Sequence, residues 1–254
     1  MRFTAEQLSQ LADEYRKVRS RHDELMIAYV CRQWENPRAR EFATHGLSRR
    51  LSTLVRCIEK VFALLPPEVR EVPEDNDRID ATICIQAFVF NIFGCLDNFA
   101  WILVSEKNIT SPDGRPLRNL QINISKQDSL VRHALSEGFI KYLDGLRDWF
   151  SYQEGYRHSL AHRIPLYIPP YTVDPKNKSK FRELGELMAS AAKACDFAEY
   201  DKLDTQQKTL GTFSPLMQHS FAEGARPVVF HVQLLADFKT IIELGEKVLS
   251  EIGR

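Results

Sequence analysis

Between Ala81 and Val104 the chain carries one formal charge, Asp97, amid Ile83, Ile85, Phe88, Ile92, Leu96 and Phe99. A run of that length and apolarity has two destinations, a bilayer or the interior of a protein. Gln86, Asn91, Asp97 and Asn98 decide between them, because each needs a polar partner that lipid does not supply. The stretch from Arg78 to Lys107 therefore reads as a central helix buried on most sides, with no membrane span. A carboxylate inside such a helix needs a donor or a cation. Arg157 and His162 are candidate partners for Asp97, and a helix-end or loop contact elsewhere is the other option.

The rest of the chain reads as helices that pack around this one. Thr4 with Gln7 forms a capping-box pattern, and Leu8, Leu11, Tyr15 and Val18 recur at helical intervals, so a first helix is expected to run to about Trp34, before Asn36-Pro37. A second spans Arg38 to Leu65 and stops at Pro66-Pro67. After an acidic connector and the central helix, residues 108–128 are rich in turn formers, and Leu120, Ile122 and Ile124 alternate as a short strand would. Helical periodicity resumes near Asp128 and runs through Phe139, Leu143, Leu146 and Phe150 towards Gly155, where a kink is expected. Two more helices are read at Phe181 to Tyr200 and Gln233 to Ile252, with Thr209 to Arg226 as loop. The expected architecture is a single all-α domain over residues 1–254, with an inserted segment at about 164–230.

Charge narrows the function. The 34 basic and 34 acidic residues balance, and the pI is near 7.1, which argues against long-range steering towards nucleic acid and leaves only a local basic patch. Two runs qualify. Arg16, Lys17, Arg19, Arg21 and His22 are flanked by Asp13, Glu14, Asp23 and Glu24 and read as a mutually paired, solvated face. Lys176, Lys178, Lys180 and Arg182, with Phe181 among them, read as an exposed loop and helix start. The five cysteines are odd in number, lack any Cys-x-x-Cys pairing and read as buried free thiols of a reducing compartment. With a polar opening stretch, Met1-Arg2-Phe3-Thr4, a cytoplasmic location is expected.

One short stretch concentrates chemistry. Gly155-Tyr156-Arg157-His158-Ser159-Leu160-Ala161-His162-Arg163-Ile164-Pro165 sets an arginine and two histidines at the end of a helical pattern, and Pro165 requires that helix to stop near Arg163. His158 and His162 share a face, whereas Arg157 and His162, five residues apart, diverge by about 140° and are about 7.5 Å apart along the axis. They act on one group only if a phosphate or a second copy of the chain lies between them. The same Arg-to-His spacing recurs at Arg40 to His45, with Glu41 second, and at Arg226 to His231, interrupted by Pro227, Val228 and Val229. Neither has a polar, uncharged-capable second residue on a continuous helix.

Arg157-His158-Ser159-Leu160-Ala161-His162 resembles the Arg-polar-x3-His motif of HEPN domains, helical bundles of prokaryotes and eukaryotes whose second position is usually Asn, Asp or His. The resemblance implies an up-and-down bundle of four or five helices, here with irregular loop insertions. It also implies homodimers that bring two motifs together across a twofold axis, and often RNA cleavage without a metal. A defence or toxin-like role, with a protein partner such as an antitoxin, belongs to the same family expectation. In one variant a Tyr two residues after the His is modified in toxin and antitoxin pairs; Ile164 stands there in this chain.

Three chemistries compete for the stretch. In a ribonuclease, His162 acts as general acid or base close to working pH, Arg157 stabilises charge on the phosphoryl oxygens, and His158 orients substrate or relays a proton. In a zinc site, His158 and His162 would need a third protein ligand, and no His-Glu-x-x-His is present, so neither metal nor other cofactor is expected. In a binding or scaffold protein, the cluster serves the helix end alone, where cations complement the dipole. His219 and His231 are further groups that could approach the Arg157 turn, although nothing local in the sequence shows that they do.

Overall fold

Proline, glycine and caps set the helix ends in the computed structural model of the chain, which describes residues 3–220 and 226–253. Met1, Arg2 and residues 221–225 of the Thr209 to Arg226 reading lie outside them. The first helix, α1 (Ala5–Val30), opens on the anticipated capping box: Gln7 N–H donates to Thr4 Oγ1 at 3.2 Å and Thr4 N–H to Gln7 Oε1 at 2.9 Å. It ends four residues before Trp34, because Trp34 folds back and donates Nε1–H to the Tyr29 carbonyl. Asn36 caps α2 (Pro37–Glu41), with Pro37 at the first helical position, where its missing N–H costs nothing. A π-helical turn, Phe42–Leu47, joins α2 to α3 (Ser48–Leu64), and Pro66 follows. The central helix α4 (Asp75–Glu106) starts with Asp75 and Asp77 in the turn where the dipole favours anions.

α4 packs on α3 and α7 (Arg147–His162), and on α10 (Phe230–Ile252), which also contacts α1. Phe88, Ile92, Phe99 and Ile102 of α4 meet Leu51, Leu54 and Ile58 of α3 and Phe238 and Ile241 of α10 in one hydrophobic core. Among the described residues α4 is the one helix long and apolar enough to cross a membrane. Its internal polar groups are engaged by protein: Gln86 donates to the Leu166 carbonyl at 3.0 Å, and Asn91 and Asn98 accept from Arg50. The architecture is an all-α bundle.

Three sequence readings change. The alternation at Leu120, Ile122 and Ile124 forms no strand; a 3-10 turn, Asn119–Gln121, and irregular chain replace it. Ile122 and Ile124 are buried, and the buried guanidinium of Arg132 takes the Ile124 carbonyl at 2.8 Å, so the backbone finds a side chain and not a second strand. The region from Asp128 to Gly155 is no single helix but α5 (Leu130–His133), α6 (Glu137–Gly145) and α7, and Gly155 lies unkinked within α7. Residues 178–208 form two helices, α8 (Lys178–Lys193) and α9 (Phe197–Lys208), because Cys195 takes a left-handed φ of 55° and Asp196 caps a fresh start.

The proline-rich chain after α7 lies extended across α4, pinned by Gln86 to Leu166 and by Arg78 to the Ile168 carbonyl at 3.2 Å. Two short antiparallel pairs follow: β1 (Thr172–Val173) with β2 (Gly211–Thr212), and β3 (Leu216–Met217) with β4 (Val228–Val229). α8 and α9 share a small core of their own, Leu184, Met188, Ala191 and Leu203. The cysteines are free, as read, but their burial is not uniform: Cys57 and Cys95 are buried, whereas Cys31 and Cys195 are exposed.

Candidate functional site

α7 is held from below by apolar and polar contacts. Phe150, Gln153, Tyr156 and Ser159 form its buried face, and Trp149 donates Nε1–H to Asp237 of α10 at 2.8 Å. The helix continues regularly to His162 and is capped at Arg163, whose N–H bonds to the Ser159 carbonyl. That is the stop Pro165 requires.

On this frame the three motif residues part company. Arg157 lies on the α4 side, its guanidinium carbon 5.7 Å from the centre of the Phe93 ring. It lines a groove of about 510 Å³ that also takes in Asp97. His158 and His162 lie further round the helix, both exposed, with ring centres 5.2 Å apart. One chain therefore turns its guanidinium towards a groove and its imidazoles to the solvent, about 100° (His158) and about 140° (His162) away on a helix of this pitch. Among the described residues no group of three or more His, Cys, Asp or Glu side chains is placed to hold a metal ion.

The other histidines separate. His219 reaches α7 on its buried flank: its Nδ1 is 3.1 Å from Ser159 Oγ and its ring stands edge-on to Tyr156. His231 does not approach the turn. It is fully buried beside Phe62 and Phe230, with Nε2 2.6 Å from the Leu65 carbonyl. Burial lowers its pKa to about 4.

Asp97 opens into the groove, and burial raises its carboxyl above the ordinary range, with Arg50 and then Arg157 opposing. Arg50 of α3 was not singled out from the sequence. Its side chain crosses α4 at Gly94, where an added Cβ would fall 2.1 Å from the guanidinium carbon, so only glycine admits it without displacement. Nε–H donates to Asn98 Oδ1 at 3.1 Å and Nη1–H to Asn91 Oδ1 at 3.3 Å. Asn98 is in turn packed under Gly46 of the π-helical turn. The available sequence signal was Asn91, Gly94 and Asn98, a polar and small stripe at helical spacing within an apolar helix.

No family model, curated protein or solved structure matches this chain. The functional reading therefore rests on its own residues.

Proposed function

We propose that this is a HEPN-like protein that cleaves RNA without a metal, by attack of a ribose 2′-hydroxyl on the adjacent phosphate, at a site to which two copies of the chain contribute Arg157 and His162. The observation that carries the reading is the placement of Arg157-His158-x3-His162 on the last turns of one unbroken helix, with both imidazoles exposed. The divergence of Arg157 and His162 gives the second copy its role, since it supplies across a twofold axis what one helix cannot.

In this mechanism one His162 takes the proton from the 2′-hydroxyl as the new O–P bond forms, and the partner's His162 protonates the departing 5′-oxygen as its bond to phosphorus breaks. Products are a 2′,3′-cyclic phosphate and a 5′-hydroxyl. Arg157 donates paired N–H groups to the phosphoryl oxygens, where charge builds up. His158, one turn from His162, orients the substrate or relays a proton. One imidazole works as base and the other as acid, so the two copies act in opposite protonation states and cleavage follows a bell-shaped pH profile.

A second reading is a catalytically silent HEPN-like binding or scaffold protein. The position of Arg157 over Phe93, on the groove side of the helix and turned away from the exposed imidazoles, favours it, because one chain does not bring the guanidinium and the imidazoles onto one group. Incubation of the purified protein with mixed RNA in chelator separates the two. The nuclease reading expects cleavage that Arg157→Ala and His162→Ala each reduce by about a hundredfold or more, the scale of lost acid-base or oxyanion assistance. Absence of cleavage by the wild-type chain, with RNA bound, supports the silent module; cleavage unchanged in both variants refutes the assignment of these residues.

A further inference from the structure

We propose that the groove between α4, α7 and the 119–126 connector is a nucleotide site, which holds a phosphate group between Arg50, Arg157 and Lys126 and lays the base against Phe90. This deepens the reading above by assigning where a nucleotide's phosphate sits, and it rests on that reading for the role of Arg157.

Three cations line this groove, and none has a carboxylate within 4 Å among the described residues. Several cations elsewhere in the chain are paired with carboxylates. Arg16 meets Asp13, Lys17 and Arg21 meet Glu14, and Arg19 meets Glu59. In the groove Asp97 and Glu154 face Arg50, Arg157 and Lys126, which leaves one positive charge uncompensated in a polar recess.

Arg50 is the fixed member. Two neutral amide oxygens hold its Nε and Nη1, which orients the guanidinium without neutralising it, and Gly94 lets it lie flat on α4. Of the five N–H groups on a guanidinium those bonds use two, and the remaining fork matches phosphate oxygens. Lys126 is placed by its backbone: Asn123 Oδ1 accepts from Lys126 N–H at 2.9 Å, and Arg132 holds the carbonyl of Ile124 two residues earlier. Arg157 arrives from α7. Three elements thus supply one cation each.

The rim specifies more than inorganic anion. Phe90 of α4 is 43% exposed and Leu120 of the connector 97% exposed, an apolar pair flanking the cations, and an aromatic face of this kind stacks a base. Asn119 and Asn123 line the same recess and offer amides to base edges. A volume of about 510 Å³ falls within the range of small-molecule sites, roughly 300–1,000 Å³.

The test is calorimetric titration of the full chain, in chelator, with adenosine 5′-monophosphate, inorganic phosphate and adenosine, and with a 5′-phosphorylated RNA hexamer and its unphosphorylated form. The site predicts binding of the monophosphate, competition by phosphate, and weakening by about tenfold or more when the phosphate is removed or when Lys126→Ala, Arg50→Gln or Gly94→Leu is introduced. Lys126→Ala alters an exposed side chain and keeps the test valid if the α4 variants fail to fold; Lys239→Ala, outside the groove, leaves affinity unchanged. Tighter binding of the phosphorylated hexamer than of the monophosphate identifies a strand end as the source, and the reverse a free nucleotide; both support the site. Monophosphate binding without RNA cleavage overturns the nuclease and keeps the groove. Cleavage with no monophosphate binding, or binding indifferent to Lys126→Ala and Arg50→Gln, overturns the groove and keeps the nuclease.

Discussion

Asp237 and His231 lie less than two turns apart on α10, both buried, and their ionisation pulls stability in opposite directions. Burial raises the Asp237 carboxyl from its usual value near 3.8 to about 6, against the bonds that its Oδ1 accepts from Trp149 at 2.8 Å and Gln233 at 2.7 Å. The folded state prefers the protonated acid, so this contribution is complete below about pH 4 and is lost as pH rises through 6. A shift of about two units corresponds to ~3 kcal/mol. His231 runs the other way: burial lowers it from 6.5 to about 4 although Nε2–H donates to the Leu65 carbonyl. Its contribution is complete above about pH 6.5 and is lost as pH falls through 4, again by ~3 kcal/mol. In the wild-type chain the two largely cancel between pH 4 and 6.5. Single variants uncover them. Asp237→Asn retains an oxygen for Trp149 and Gln233, and its stability relative to wild type is expected to be ~3 kcal/mol more favourable at pH 8 than at pH 4. His231→Gln retains a donor for Leu65 and is expected to show the mirror dependence. Urea unfolding at unit intervals from pH 4 to 8 reads both; a difference between Asp237→Asn and wild type that does not change with pH refutes the reasoning.

Three further outcomes follow from the packing. Glu251, buried at the end of α10, accepts from Lys107 Nζ at 2.7 Å and from Ser136 N–H at 3.1 Å, so Glu251→Ala strands a cation and an α6 donor and is expected to cost ~3 kcal/mol by denaturant unfolding. At Gly245 a Cβ would fall 2.8 Å from Leu25 Cδ2, beside the Tyr29 hydroxyl that donates to the Gly245 carbonyl; Gly245→Ala is expected to destabilise by about 1–3 kcal/mol, and a thermal melt unchanged from wild type contradicts that packing. A thiol reagent is expected to modify Cys31 and Cys195 in the folded protein and to spare Cys57, whose thiol burial pushes up to about 12, and Cys95 until unfolding, as mass spectrometry of labelled peptides would record.

Local chemistry made much of the bundle legible. Thr4 and Gln7, Asn36-Pro37, Pro66 and Pro165 act within a turn of themselves, so the helix ends they set were readable from neighbours. The apolar run through Phe88, Ile92 and Phe99 likewise marked the helix at the centre. What escaped depends on residues far apart in sequence. The break at Cys195 rests on a single left-handed residue that no proline or glycine announces. The alternation of Leu120, Ile122 and Ile124 matched a strand, but Arg132 claimed the carbonyl that a second strand would have used. In the site, Arg157 and the imidazoles could be placed on separate faces from helical pitch alone. The course of Arg50 over Gly94 could not, since it joins positions 41 and 48 residues apart through Asn91 and Asn98.

The shared-site account is tested most directly by chelator-resistant RNA cleavage per mole of protein, measured across a dilution series in which sedimentation reports the fraction of dimer. Specific activity that rises in proportion to that fraction, and vanishes in His162→Ala at every concentration, is the predicted result. Cleavage that is constant per mole while the chain is monomeric, or that survives in His162→Ala, contradicts it.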